Sequence, residues 1–352
     1  MTHLDIAHQR LLNQQIAQTT FTQPAELVAW LGAVQSQDYA GAKWALGLRL
    51  QGVADDDIEH AFTAGAILRT HVMRPTWHFV APADIRWLLA LTAPRVNALN
   101  AYYYRKLELD QALFTRSNAA LIKALQGGKQ LMREELRTVL QQASIATDDL
   151  LRCSLIIMRA ELDGIICSGA RRGKQFTYAL LDERAPHAKP LERDAALAEL
   201  ARRYYTSHGP ATLKDFVWWS GLTTADARSG LETVKAQLIH EVRDGQTYWF
   251  SAATPPANVP TPTAYLLPNY DEYTVGYSDR SAIFDAADTK NVVLGYVIVI
   301  NGRVVGTWKR TLKQPVVVET HAFTPLTEAE GRAVAVAAQQ YAAFLGLPVV
   351  LA

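Results

Sequence analysis

Cysteine is almost absent: two residues, Cys153 and Cys167, in a chain of 352. That number builds neither a disulfide framework nor a cysteine metal cluster, and it suits a reducing compartment. No apolar run approaches the roughly 18 residues that a membrane-spanning helix needs, so no membrane association is expected. The first residues, MTHLDIAHQRLLNQQIAQ, lack a basic stretch followed by an apolar one, and the expectation is a cytoplasmic protein. A charge excess of one sign is missing too: 35 Lys plus Arg stand against 34 Asp plus Glu, for a net charge of +1. A protein that coats nucleic acid would carry more positive charge, because backbone affinity comes largely from neutralising phosphates. A local basic face remains compatible with this balance. Also missing are a phosphate-binding loop, a dinucleotide fingerprint, an HExxH helix and a GxSxG elbow, which removes most cofactor and protease chemistries.

What is present is an ordered composition, 49% hydrophobic and 20% charged, on a chain long enough for two to four structural units. Three segments share one plan: helix, turn, helix, turn, helix, then two strands joined by a turn. The clearest lies within residues 106–190. A helix over Asn118–Leu125 ends at Gly127-Gly128, a second spans Leu131–Gln141, and a third follows Thr147 as its cap, with Leu151, Leu155, Met158 and Leu162 along one face. Two strands flank SGARRGKQ, a hairpin whose tip carries Arg171, Arg172 and Lys174.

Residues 191–255 repeat the plan, with Thr212 and Thr223 or Thr224 as helix caps and Asp244-Gly245 as a tight hairpin turn. Residues 1–105 follow it less regularly, with helices over Ile6–Ala17, Pro24–Val34 and Asp56–Ala66 and a strand at Thr76–Val80; the stretch VQSQDYAGAKWALGLRL is longer than a connection between the second and third helices requires. After Phe250 the Pro-rich SAATPPANVPTPTAY reads as a linker or a wrapping loop. Residues 256–352 read as a β-rich domain with an Asn301-Gly302 hairpin and a closing helix, Thr327–Phe344. The expected fold is α+β: three tandem winged-helix units followed by a β-barrel-like C-terminal domain.

Winged helices bind duplex DNA through the third helix and the wing, so Arg171, Arg172 and Lys174 are candidate phosphate contacts; a solubilising hairpin tip explains them equally. Gln35 and Gln37 flank Ser36 past a helix end. Their amides suit holding a water or reading a base edge, and they also suit two polar residues closing a helix. Asp38 is either a turn residue or a carboxylate facing a sugar cation. Arg69, Arg74 and His78 are candidate cleft-lining residues around a nearby strand. His71 and His78, with no cysteine pair beside them, read as packed histidines rather than zinc ligands. LLPNYDEYTVGYSDR is the densest polar cluster, in which Asp271, Glu272, Asp279 and Arg280 either tune one another or knit the last domain to the rest.

Taken together, VQSQD, RTHVMRPTWHFV, GPATLKDFVWWSGLTTADAR, LLPNYDEYTVGYSDR and NGRVVGTWKR resemble the bacterial, AlkZ-like family of tandem winged-helix proteins. It contains the DNA glycosylases that unhook interstrand crosslinks and excise N-alkylpurines. The resemblance covers residues 10 to 350. It implies a monofunctional glycosylase, without metal or organic cofactor, acting as a monomer on double-stranded DNA that bears alkyl adducts or crosslinks. The family's catalytic signature is glutamine, one residue, then glutamine or aspartate, and it falls on Gln35 and Gln37. The intervening residue is usually apolar, whereas here it is Ser36. A non-catalytic winged-helix DNA-binding or regulatory protein is the alternative.

Overall fold

Where the sequence leaves one long connection after the second helix, the chain forms an extra helix. In the computed structural model, which describes residues 3–251, 261–284 and 295–352, α1 (His3–Asn13) and α2 (Pro24–Leu31) are followed by β1 (Val34–Gln35) and α3 (Tyr39–Gly47). Pro24 sits at the start of α2, where a missing N–H costs nothing. Asp38 caps α3 by accepting from the Gly41 N–H at 3.1 Å. Tyr39, Ala42, Trp44, Ala45 and Leu46 are all buried. A helix buried on nearly every side has no broad solvent-facing polar stripe, so its period leaves little mark in the hydrophobicity pattern. α4 (Asp55–Ala64) opens on Asp55, Asp56 and Asp57 at the positive end of its dipole.

The chain packs as two units, Met1–Glu59 with Leu197–Trp219 and Thr223–Ala352, and His60–Ala196 with Ser220–Leu222. In the second of these, β2 (Leu68–His71) and β3 (Trp77–Val80) pair antiparallel, Leu68 facing Val80 and His71 facing Trp77. They lead into α5 (Ile85–Lys106), 22 residues with Pro94 inside it. Then come α6 (Gln111–Leu125), β4 (Leu131–Met132), α7 (Arg133–Gln142), α8 (Leu150–Leu162), β5 (Ile166–Ser168), β6 (Thr177–Leu180) and the single turn α9 (Leu181–Arg184). The three strands run in the order β4-β6-β5. This is a winged-helix arrangement, three helices closed by a small sheet over one apolar core that includes Leu121, Leu136, Ile156 and Ile166.

Three local expectations are corrected here. Leu131 and Met132 form a strand before the second helix, because they pair with Tyr178 and Thr177. Asp149, not Thr147, caps α8, accepting from the N–H groups of Leu151 and Arg152. Of the expected face of α8, Leu155 and Leu162 are buried and Met158 packs against the core, but Leu151 is 47% exposed, and Cys153, Ile156, Ile157 and Ala160 fill the core beside them. Both cysteines are buried and free, and burial pushes the Cys167 thiol up to about 12.

α10 (Arg193–Ser207), α11 (Leu213–Ser220), α12 (Thr224–Val234), a 3-10 turn at Lys235–Gln237, β7 (Ile239–Arg243) and β8 (Gln246–Phe250) follow. Thr223 caps α12. Asp244 and Gly245 both have positive φ, 47° and 73°, as the tight hairpin turn requires. Ala211 bridges to Trp249, standing where the first strand of a winged helix would pair.

The expected linker falls largely on residues 252–260, outside the described residues; Ala264 and Tyr265 at its end belong instead to a strand. β9 (Ala264–Leu267), α13 (Glu272–Val275), β10 (Val297–Ile300), β11 (Arg303–Thr311), β12 (Val316–Ala322), α14 (Glu328–Leu345) and β13 (Val349–Leu351) complete the chain. The sheet order is β13-β12-β11-β10-β9, antiparallel except for β12 with β13. Among the described residues β9 and β13 are edges, so the sheet is a curled half-barrel and not a closed one. α14, N-capped by Thr327 with Glu330 in a capping box, packs onto it through Tyr341, whose ring lies 5.1 Å from those of both Trp308 and Trp44. No helix among the described residues is long and apolar enough to cross a membrane.

Candidate active site

The segment Val34 to Asp38 alternates in burial. Val34 and Ser36 are buried, Gln35 is half-buried and Gln37 is exposed. That two-residue period is the one an extended chain imposes, and it turns both glutamines away from the core that Val34 and Ser36 enter. Among the described residues nothing hydrogen-bonds the side-chain amide of Gln35 or of Gln37.

The backbone beneath them is fixed at two points. The Gln35 N–H donates to Glu272 Oε1 at 2.9 Å. Glu272 is 1% exposed, and its other oxygen accepts from Trp219 Nε1–H at 2.9 Å and lies 3.4 Å from His208 Nε2. Burial lowers the His208 pKa, against the pull of the Glu272 carboxylate. Its Nδ1 meets Ser207 Oγ at 2.8 Å and its ring stacks on Tyr204.

The second fixed point is Asp38. Its Oδ1 takes the Gly41 N–H and its Oδ2 accepts from the Tyr296 hydroxyl at 2.6 Å, with Arg310 Nη2 at 3.9 Å. Tyr296 is held well above the usual phenol range, by burial first and by the Asp38 carboxylate second. Asp38 is thus both the cap of α3 and an acceptor for the C-terminal sheet's Tyr296.

The polar cluster after β9 carries the support. Asp271 forms a bidentate pair with Arg49, at 2.8 and 2.7 Å, both side chains being buried. Arg280 Nε donates to the Thr274 carbonyl, and the Asp279 N–H donates to the buried carboxylate of Asp215.

The remaining candidates belong to the other unit. Arg69 is buried with its guanidinium 4.3 Å from the Trp77 ring centre and 4.5 Å from that of Phe176, and Arg171 approaches the same Phe176 ring at 5.4 Å. The structure therefore brings Arg69 and Arg171 onto one aromatic ring. His78 is buried, with Nδ1 3.0 Å from the Thr76 carbonyl, and Arg74 is half-buried. His71 Nδ1 lies 2.5 Å from Glu161 Oε2, a packed histidine as the sequence suggests. At the hairpin, Arg172 is paired with Glu135 at 3.0 Å and donates to the Gln130 carbonyl, while Lys174 is exposed. The described residues hold no group of three or more His, Cys, Asp or Glu placed to bind a metal.

The family described as DNA glycosylase AlkZ-like matches residues 28–344. This chain belongs to the AlkZ-like family. It is 23% identical over 321 residues to the interstrand DNA cross-link repair glycosylase of Streptomyces sahachiroi, covering 85% of each chain. It superposes on the solved Streptomyces sahachiroi DNA glycosylase AlkZ with a TM-score of 0.79 over the whole of both chains at 22% identity, a likeness of fold.

In this AlkZ-like chain the sequence does not mark Trp219, His208 or the contact of Glu272 with Gln35. Gln35 and Glu272 are 237 positions apart, and Trp219 and His208 sit in segments that read as ordinary helix ends. The one available signal is that the cluster at 266–280 is too polar for the apolar strands around it.

Proposed function

We propose that this AlkZ-like protein is a monofunctional DNA glycosylase that hydrolyses the N-glycosidic bond of N-alkylpurines, interstrand crosslinks among them. It acts as a cytoplasmic monomer, through three winged-helix modules (residues 1–105, 106–190 and 191–255) and the C-terminal domain, without a metal or organic cofactor. The observation that carries this reading is the pair of amides at Gln35 and Gln37, turned out of the core on a backbone that Glu272 and Asp38 hold from both sides.

A glutamine amide takes no proton, but its carbonyl accepts and its N–H groups donate. Gln37 orients the attacking water and Gln35 shares in holding that water and the sugar, so that fixed dipoles meet the charge that develops at C1′. The lesion supplies the leaving group. As the C1′–N9 bond breaks, its electron pair passes to the cationic purine and neutralises it. The water oxygen bonds C1′, one proton goes to solvent, and free alkylpurine and an abasic site result. Arg171, Arg172 and Lys174 contact the DNA backbone, and Arg69, Arg74 and His78 are further cleft-lining residues of their own unit.

The first turn of α8 argues against a sequence-reading regulator. That helix would enter the major groove, yet Asp148 and its cap Asp149 stand directly before it and its first turn opens on exposed Leu150 and Leu151. The test is release of N7-methylguanine from methylated duplex DNA, native protein against Gln37→Ala. Release that vanishes in the variant while DNA affinity holds supports the reading. No release from the native protein, despite binding, rejects hydrolysis of simple N-alkylpurines and leaves a crosslink-restricted glycosylase or a binding module.

A further inference from the structure

One residue in the loop that leads to Glu272, and so to the Gln35 backbone, is mounted at a conformational cost. Tyr270 lies in the turn between β9 and α13 at φ +59°, a left-handed conformation that glycine and asparagine adopt readily and a tyrosine does not. Such outliers persist where the surroundings over-determine them, and they gather at functional sites. Here both flanks are tied down. On one side a Cβ placed on Gly41 would come within 2.9 Å of Asn269 Oδ1 and of Asp38 Oδ2 alike, so Asn269 packs against the start of α3 beside Asp38. On the other, Asp271 is locked to Arg49 and Glu272 holds the Gln35 N–H. Tyr270 is therefore clamped between the residues that bracket the Gln35–Asp38 segment.

Among the described residues its side chain makes no polar or aromatic contact that would hold it in this conformation. It is half-buried, and among the described residues its hydroxyl makes no hydrogen bond and its ring meets no other ring and no cation. Most tyrosines of this unit behave otherwise: Tyr204, Tyr273, Tyr277, Tyr296 and Tyr341 are each hydrogen-bonded or stacked.

We propose that Tyr270 is a specificity residue whose ring receives the alkylated purine. This rests on the glycosylase reading above and names the feature that the site selects: an N-alkylpurine carries a positive charge, an undamaged base does not, and an aromatic face attracts a flat cation electrostatically as well as by stacking. The ring thus discriminates by charge, beside the segment that carries the two amides.

Two duplexes separate charge from shape. One carries 2′-fluoro-N7-methyl-2′-deoxyguanosine, cationic and resistant to cleavage, and the other its neutral isostere 7-methyl-7-deaza-2′-deoxyguanosine. Anisotropy titrations are expected to show the native protein binding the cationic duplex about tenfold more tightly than the neutral one, on the scale of a desolvated cation–aromatic contact. Tyr270→Leu brings that ratio to about one, and Tyr270→Phe, which keeps the ring, restores it. Tyr270→Gly also loses the ratio but melts no lower than the native protein, because glycine accepts φ +59° without strain. A ratio unchanged in the Leu and Gly variants overturns the inference, and so does a Gly variant that melts well below native, since that makes the ring a packing element. In either case base release by the native protein from methylated DNA leaves the glycosylase reading standing. Absence of both release and cation preference in the native protein removes that reading, and the inference with it.

Discussion

The N–H of Gln35 and the carboxylate of Glu272 meet at 2.9 Å, joining the first candidate catalytic residue to the loop that follows β9. Both Glu272 oxygens are occupied by donors, Gln35 on one and Trp219 on the other. Replacing the carboxylate by an amide leaves one of these donors facing an NH2 group. The backbone under Gln35 then shifts to relieve the clash. Supporting residues of this kind typically cost about 10–100-fold when altered, and displacements of an ångström at a reacting centre cost similar factors. Glu272→Gln is accordingly expected to slow single-turnover base release at least about tenfold with DNA affinity unchanged. An equal loss of affinity and rate would mean that the residue only maintains the fold.

Acid weakens this same cluster through His208. Its folded pKa is below the ordinary 6.5 because burial disfavours the imidazolium, and Arg49 and Arg10 add to that while Glu272 opposes it. The unfolded chain takes up the proton near 6.5, whereas the folded chain resists it until a lower pH. The unfolded state therefore binds more protons in that window, and His208's contribution to stability, complete above 6.5, is lost progressively as pH falls below it. Urea titrations from about pH 7 to 5 should show a slope of up to ~1.4 kcal/mol per pH unit from this one group. His208→Gln removes that component. A variant as pH-sensitive as the native protein in this window would show that other groups set the slope.

Breaking the buried Arg49–Asp271 pair from one side costs the fold more than breaking a surface pair. Both side chains are buried, the contact is bidentate, and Arg49 also donates to the Gln14 and Ala45 carbonyls and to Gln14 Oε1. Removing one charge from such a pair strands the other in a medium that cannot solvate it, at a cost of about 3–5 kcal/mol. Asp271→Asn should lower the urea midpoint by a corresponding amount. Lys235→Ala, which breaks the half-exposed pair with Glu232, should barely move it.

How far the sequence carries depends on whether the decisive contact is local. Asp244-Gly245 and Asn301-Gly302 are legible because a tight turn needs positive φ at adjacent residues and these side chains permit it. The winged helix over residues 106–190 is legible because its helices keep one dry face and its strands are short and bounded by glycine. α3 and α5 are not: α3 is buried on nearly every side, Lys43 included, and α5 contains Pro94, which reads as a break. β13 is three residues whose partner among the described residues, β12, is reached across α14. For the site, Gln35 and Gln37 alone read as a polar helix end, and their candidacy comes from the family signature. Glu272 was visible as part of a polar cluster, but its hold on Gln35 is a contact across 237 positions that no spacing rule encodes.

The hairpin tip makes the last prediction quantitative. If Arg171, Arg172 and Lys174 meet phosphates, each contact releases counterions and contributes about 0.9 to the slope of log affinity against log salt. The three are not equivalent. Lys174 is exposed, whereas Arg172 is held by Glu135 and by the Gln130 carbonyl, and Arg171 rests on Phe176. Lys174→Ala should thus reduce the slope by about one. Arg172→Ala should reduce it by less, because part of its charge is already answered by Glu135, whose own carboxyl is lowered by the Met132 N–H and by Arg172. Glu135→Gln then provides the converse: freeing Arg172, it should tighten DNA binding at low salt and steepen the slope. Anisotropy measured across a salt series with undamaged duplex separates these cases, and identical slopes for all three variants and the native protein would exclude the hairpin from the DNA interface.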